Sequence, residues 1–238
     1  MVFVPHEMDR AMKVLVISHA YAAPINRQKV KALSRRPGLS MSLLLPRFWK
    51  EGERVYITEP GEEGFRIFTG NVLFPGRIGR HVYRNGLIRA LRTVHPDVIH
   101  LEEEPWSLVA AQVMAASAFL KPRPKLVLFS FENLDLNLRR TYRVIERRLL
   151  ARADVLLAGG QTVRDRLLRR GADPKRVVVL PQFGLDPDFF RLPGPGESPK
   201  TFTVGFIGRL VPEKGVDLLI RALSEIEGDW RALIVGDG

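Results

Sequence analysis

The chain has 238 residues, 45% of them hydrophobic and 26% charged, a globular balance that suits one to two domains. It contains no cysteine, which excludes a disulfide framework, a thiol nucleophile and a thiolate-held metal, and fits a reducing cytoplasm. The net charge is +11, yet residues 192–238 hold five basic and seven acidic side chains, so the positive excess lies before them. Of the 37 cations 28 are arginine, whose planar fork grips phosphate or carboxylate. A polyanion, an acidic membrane surface or a phosphorylated substrate is the matching partner class, and an arginine-rich solvated surface is the alternative.

Residues 1–11 read as an extension outside the fold, broken by Pro5 and lacking the apolar core of a leader peptide, with Met12 as a natural start. Strands are predicted over 13–18, 41–46, 97–101, 125–130, 154–159 and 176–181. Most are continuous apolar runs, the pattern of a parallel sheet covered on both faces. Two further runs, 54–58 and 65–69, alternate in polarity and predict an edge hairpin. Arg77–Arg92 interleaves arginines with Ile78, Val82, Leu87, Ile88 and Leu91. It predicts an amphipathic helix that either lies on anionic lipid or packs on the sheet.

The longest uncharged run, Trp106–Leu120, falls short of the roughly 20 residues that span a bilayer, and predicts a buried alanine-rich helix. Leu138–Arg152 places Tyr142, Ile145 and Leu149 on one helical stripe. Thr162 with Asp165 has the spacing of a capping box, and Gly171 follows as a helix-ending glycine. Strands alternating with helices predict a doubly wound α/β domain over residues 12–190. The proline- and glycine-rich stretch 191–200 reads as a linker. A second βαβ pattern then begins, with strands at 201–208 and 231–236 and a helix at 215–223. Its 38 residues are too few to enclose a core, so 201–238 reads as the incomplete start of a second domain.

The sharpest chemical motif is Gly208-Arg209-Leu210-Val211-Pro212-Glu213-Lys214-Gly215. It sets two cations on a turn between a strand and a helix N-terminus, an arrangement suited to a diphosphate. Taken alone, any strand-turn-helix could carry those two residues. The wider segment FIGRLVPEKGVDLLIRAL, followed by LIVGDG, resembles the opening of the C-terminal domain of glycosyltransferase family 4, with the GT-B fold. VVVLPQFGLDPDFF, ADVLLAGGQTVRDRL and PDVIHLE resemble segments of its N-terminal domain, so the likeness runs from Met12 onward.

The resemblance implies a retaining transferase that moves a sugar from a UDP- or GDP-linked donor to an acceptor hydroxyl. Glycan, lipid-linked or polysaccharide biosynthesis would be its setting, with neither cofactor nor metal required. It implies that Gly208, Arg209 and Lys214 hold the donor diphosphate. The chain departs from the family's pattern in three places. Residues 18–27 contain no glycine, 129–133 offer no histidine, and the chain stops before the Glu-x7-Glu motif that binds the donor nucleotide and sugar. The chain alone is therefore expected to bind nucleotide weakly or not at all and to be inactive.

Glu102, Glu103 and Glu104 end a predicted strand, and Glu132 and Asn133 end the next. Glu103, Glu132 and Asn133 are the candidate catalytic groups, because a carboxylate at a strand's carboxyl end can bond or deprotonate an acceptor hydroxyl. His19, Glu102 and Glu104 are candidate acceptor contacts. The competing reading of the three glutamates is a helix start before Pro105, complementing the dipole. The five histidines show no HExxH or His-x-His spacing, so no metal is assigned. There is no dinucleotide or P-loop glycine motif, no nucleophile elbow at Ser130, and no nucleic-acid motif. The expected location is cytoplasmic, with peripheral contact at an anionic inner membrane face. A non-catalytic module binding an anionic glycan or lipid is the alternative.

Overall fold

A computed structural model describes residues 10–181, Gly184 and 201–238. The chain divides into two compact units, Met1–Gly184 and Leu185–Gly238. In the first, the strands are β1 (Met12–Ile17), β2 (Leu39–Pro46), β3 (Phe48–Glu51), β4 (Arg54–Ile57), β5 (Gly61–Glu62), β6 (Arg66–Gly70), β7 (Val72–Leu73) and β8 (Val82–Tyr83). They continue with β9 (Val98–Leu101), β10 (Lys125–Ser130), β11 (Val155–Ala158) and β12 (Val177–Val179). The helices are α1 (Gln28–Ser34), α2 (Leu87–Val94), α3 (Leu108–Ser117), α4 (Arg140–Arg152) and α5 (Gln161–Arg169).

Eight strands form one sheet in the order β12-β11-β10-β9-β1-β2-β6-β5, parallel throughout except where β5 runs antiparallel to β6. The unit is Rossmann-like, doubly wound α/β, as the unbroken apolar runs predict. Successive residues of β1 serve opposite faces. Leu15 and Ile17 pack with Leu91, Leu101 and Val109, while Val14 and Val16 pack with Tyr21, Val30 and Leu43. Burial of both faces explains why this strand shows no polar alternation.

Several local expectations are corrected. The stretch 65–69 does not pair with 54–58. β4 pairs with β3, and β6 joins the main sheet beside β2. A period of two identifies a strand but not its partner. Ile67 and Phe68 are in fact buried in cores on opposite faces. No helix spans 77–92. Gly86, at φ +86° and close against Thr69 and Gly70, starts a short α2, while 82–83 form a strand. Leu87, Ala90, Leu91 and Val94 of α2 are buried in the protein core, so that stripe does not face lipid.

α5 begins at Gln161 with Gly160 as its N-cap, which puts Thr162 inside the helix and removes the capping box. Gly171, at φ +96°, does end that helix region. α3 starts at Leu108, capped by Ser107 Oγ accepting from the Ala110 N–H at 3.3 Å. The three glutamates therefore lie before the helix and outside its first turn. Among the described residues no helix is long and apolar enough to cross a membrane.

The second unit contains β13 (Phe202–Ile207), α6 (Val216–Ser224) and β14 (Trp230–Val235), with β13 and β14 parallel over six residue pairs. Leu223 is its single buried side chain among the described residues.

Candidate functional site

In a parallel sheet, residues that follow paired positions on neighbouring strands emerge side by side at the carboxyl edge. Ile17 of β1 pairs with Leu101 of β9, and the Glu102 N–H donates to the Ile17 carbonyl at 3.0 Å. His19 and Glu103, each two residues further on, consequently meet. The strand order also reverses between β1 and β9, the switch point where open α/β sheets hold ligands.

The three glutamates separate in role. Glu102 turns inward, where its carboxylate accepts from the Tyr21 hydroxyl at 2.8 Å and pairs with Lys29. Glu103 is 1% exposed and accepts from the His19 backbone N–H at 2.8 Å. The His19 ring nitrogen Nδ1 lies 2.9 and 2.8 Å from its two oxygens. Burial pushes the Glu103 carboxyl upward, but the neighbouring imidazoles, first His19 with its hydrogen bond and then His81, outweigh it and hold the pKa at about 2. Burial depresses the His19 pKa, and Glu103 more than reverses it, so the imidazole sits above its ordinary value.

Glu104 reaches toward β10. It accepts from Ser130 Oγ at 2.7 Å and from the backbone N–H groups of Phe131 and Glu132 at 2.8 and 3.0 Å. Burial raises its pKa against the pull of those three donors. Glu104 thus fixes the loop carrying Glu132 and Asn133. Glu132 is half-buried and accepts from the Leu134 N–H at 2.9 Å, while Asn133 is exposed.

His19, Glu102, Glu103, Glu104, Glu132 and Asn133 line one cavity of about 400 Å³, with Trp106, Phe129, Phe131 and Leu136 among its apolar walls. No lysine or arginine is among the described residues lining it. His19 Nδ1 is engaged by Glu103, so Nε2 is the polar atom this ring has left for a ligand. The arrangement suits a hydroxylated ligand: carboxylate and amide acceptors beside aromatic faces.

Two residues that sequence reasoning missed complete this corner. His81 is fully buried and Trp49 is 3% exposed. The Trp49 ring lies 4.5 Å from His19 and 4.9 Å from His81, centre to centre. His81 Nε2 approaches Glu103 Oε1 at 3.5 Å. Positions 19, 49, 81 and 103 sit on four separate segments, and no spacing rule links them. A weak signal existed at Gly79, whose missing side chain lets Trp106 pack against this segment.

The second unit carries the other predicted group. The Gly208 N–H donates to Val235 at 3.0 Å and the Leu210 N–H to Asp237 at 2.9 Å, which clamps the backbone on both sides of Arg209. Gly208 and Gly236 approach so closely that a Cβ on Gly236 would meet the Gly208 carbonyl oxygen at 1.8 Å. Gly215, at φ +66°, turns the chain from Lys214 into α6. Arg209 and Lys214 are both exposed, and among the described residues neither has an ion-pair partner.

Comparison with known proteins gives consistent results. The glycosyl transferase 4-like domain family matches residues 22–182. D-inositol 3-phosphate glycosyltransferases of Rhodococcus jostii and Kineococcus radiotolerans are 37% and 38% identical over 106 and 102 residues. Those alignments span 38% and 37% of this chain and 23% of each relative. Among solved structures, Anabaena HepE in complex with UDP and glucose superposes with a TM-score of 0.63 at 18% identity. The lipopolysaccharide outer core galactosyltransferase WaaB does so with 0.59 at 15%. Each superposition covers 95% of this chain and 61% of the other, so the chain spans less than two thirds of those proteins. The fold is of GT-B type, and the chain belongs to the glycosyl transferase 4-like domain family.

Proposed function

We propose that these residues are part of a retaining glycosyltransferase that takes its sugar from a nucleotide-linked donor. The donor diphosphate is held by Arg209, Lys214 and the backbone at Gly208. The observation that carries this reading is the backbone-clamped turn before α6, with two exposed cations that have no ion-pair partner among the described residues. Leaving-group charge develops on the diphosphate as the glycosidic bond breaks, and a guanidinium fork with an ammonium stabilises it there. The two cations do the neutralising that a divalent ion would do at the diphosphate. UDP is the favoured nucleotide because HepE has been solved with it.

The acceptor occupies the cavity of the first unit. Among the described residues four carboxylates and no lysine or arginine line it, which favours a neutral sugar hydroxyl over a phosphate. Glu132 and Asn133 bond the acceptor hydroxyls, and His19, held by Glu103, contributes its remaining ring nitrogen. Arg77, Arg80, Arg84, Arg89 and Arg92 are exposed and supply the charge for peripheral contact with an anionic membrane.

The test is sugar transfer from UDP- and GDP-sugars by a protein of the relatives' length that contains these residues. Arg209→Ala lowers kcat/KM about 100- to 1,000-fold, the range for loss of a preorganised charge contact in the transition state. Wild-type kcat/KM in Arg209→Ala would refute the assignment.

A further inference from the structure

His19, His81 and Glu103 bring three metal-ligating atoms within 4.8 Å of one another. The decisive residue is His81, which no part of the proposed transfer uses. Its ring is fixed from behind, since Nδ1 lies 3.0 Å from the Ile78 carbonyl oxygen and must be the protonated nitrogen there. In the neutral ring Nε2 therefore presents a lone pair. That atom is buried, has no hydrogen-bond partner, and lies 3.5 Å from Glu103 Oε1.

Two acceptors facing each other in a dry site repel, and a buried acceptor left unmade is costly. A cation between them removes both penalties. An imidazole whose far N–H is anchored on a backbone carbonyl is also how proteins orient a metal-bound histidine. Glu103 is anchored likewise, by the His19 backbone N–H at 2.8 Å. Tetrahedral zinc, with bonds of about 2.0–2.1 Å, separates its ligand atoms by about 3.3 Å. The spacings from Glu103 Oε1 to the two imidazole nitrogens, 2.9 and 3.5 Å, bracket that value.

We propose that His19 Nδ1, His81 Nε2 and the Glu103 carboxylate form a three-ligand site for a divalent ion of the zinc class. Two imidazoles and one carboxylate suit zinc, cobalt or nickel better than magnesium or calcium. Binding releases the proton that His19 Nδ1 otherwise shares with Glu103, and His19 Nε2 then carries the ring's proton. The fourth position is open to water or to a hydroxyl in the adjoining cavity. The site lies in the first unit and is independent of the diphosphate turn, so its test needs no sugar transfer.

The experiment uses this chain without an affinity tag, stripped by a chelator, then titrated with zinc chloride and cobalt chloride by calorimetry and absorption. One equivalent of zinc binds, the melting temperature rises with zinc concentration, and cobalt gives the intense visible bands of a tetrahedral site. His81→Gln and Glu103→Gln each weaken binding at least about 100-fold, more than loss of an outer-sphere partner does. Should either variant fold poorly, proton NMR of the cobalt-loaded wild type decides instead. Two paramagnetically shifted imidazole N–H signals are expected, one from each histidine. Failure of the wild type to bind, retained affinity in His81→Gln, or fewer than two such signals would overturn the site and leave a proton between His81 and Glu103.

Discussion

The cavity of the first unit and the turn of the second present charge in opposite ways. Around Glu103 the titratable groups, His19, His81 and Glu103, are buried or largely so, lie within ion-pair distance of the carboxylate and are drawn from three chain segments. Around Arg209 the two cations are exposed, without an ion-pair partner among the described residues, and contained in eight consecutive residues. A buried cluster is preorganised and strongly coupled to stability, because an ion left alone there loses its compensation. An exposed cation on a clamped turn contributes little to folding and is free for a ligand. The contrast separates groups tied into the fold from groups that the proposed function assigns to a substrate.

Substitutions should expose that difference directly. The largest effect is expected at Glu103. Glu103→Ala removes the partner of His19 and His81 and should cost about 3–5 kcal/mol, read from urea unfolding of this chain. Lys214→Ala should stay within about 0.5 kcal/mol in the same experiment. Comparable losses from both would break the distinction.

A smaller effect is expected at the opposite, amino-terminal edge of the sheet. Asp154, just before β11, accepts from the Leu126 N–H at 2.8 Å and pairs with Lys125 and Arg152 at 3.0 Å each. Partial burial pushes its carboxyl up, but these donors outweigh it and hold the pKa below the ordinary 3.8. The unfolded chain therefore takes up this proton first on acidification. The resulting stability is present above pH 3.8 and is lost as pH falls through the lowered folded value. Asp154→Asn should cost about 1–2 kcal/mol at neutral pH and flatten that part of the acid limb. Unfolding midpoints measured from pH 7 to pH 2 check it. An unchanged acid limb would show that Asp154 does not hold the strand start.

The same contrast explains what could be read in the sequence. The strands of the doubly wound sheet were legible because β1 and its neighbours are buried on both faces and carry continuous apolar runs. The turn at Arg209 was legible because its whole geometry is local: strand end, two cations, Gly215, helix. The partners of Glu103 were not, since His81 reaches it only after the 77–86 segment folds over the carboxyl edge. The three glutamates looked alike in sequence. Their separation into a core contact, a histidine partner and a loop anchor follows from alternating strand direction and from which neighbour, β1 or β10, each one meets. The 54–58 and 65–69 runs had the right period, but period carries no information on pairing, and the main sheet claimed β6.

The most direct test of this proposed division of labour is a pair of steady-state measurements on a protein of the relatives' length that contains these residues. Asn133→Ala should raise KM for the acceptor about 10-fold and leave KM for the nucleotide-sugar unchanged, because it removes contacts in the first unit's cavity only. Lys214→Ala should do the reverse, impairing use of the nucleotide-sugar with acceptor KM unchanged. A rise in donor KM from Asn133→Ala, or in acceptor KM from Lys214→Ala, would contradict the assignment of acceptor to the cavity and donor to the turn.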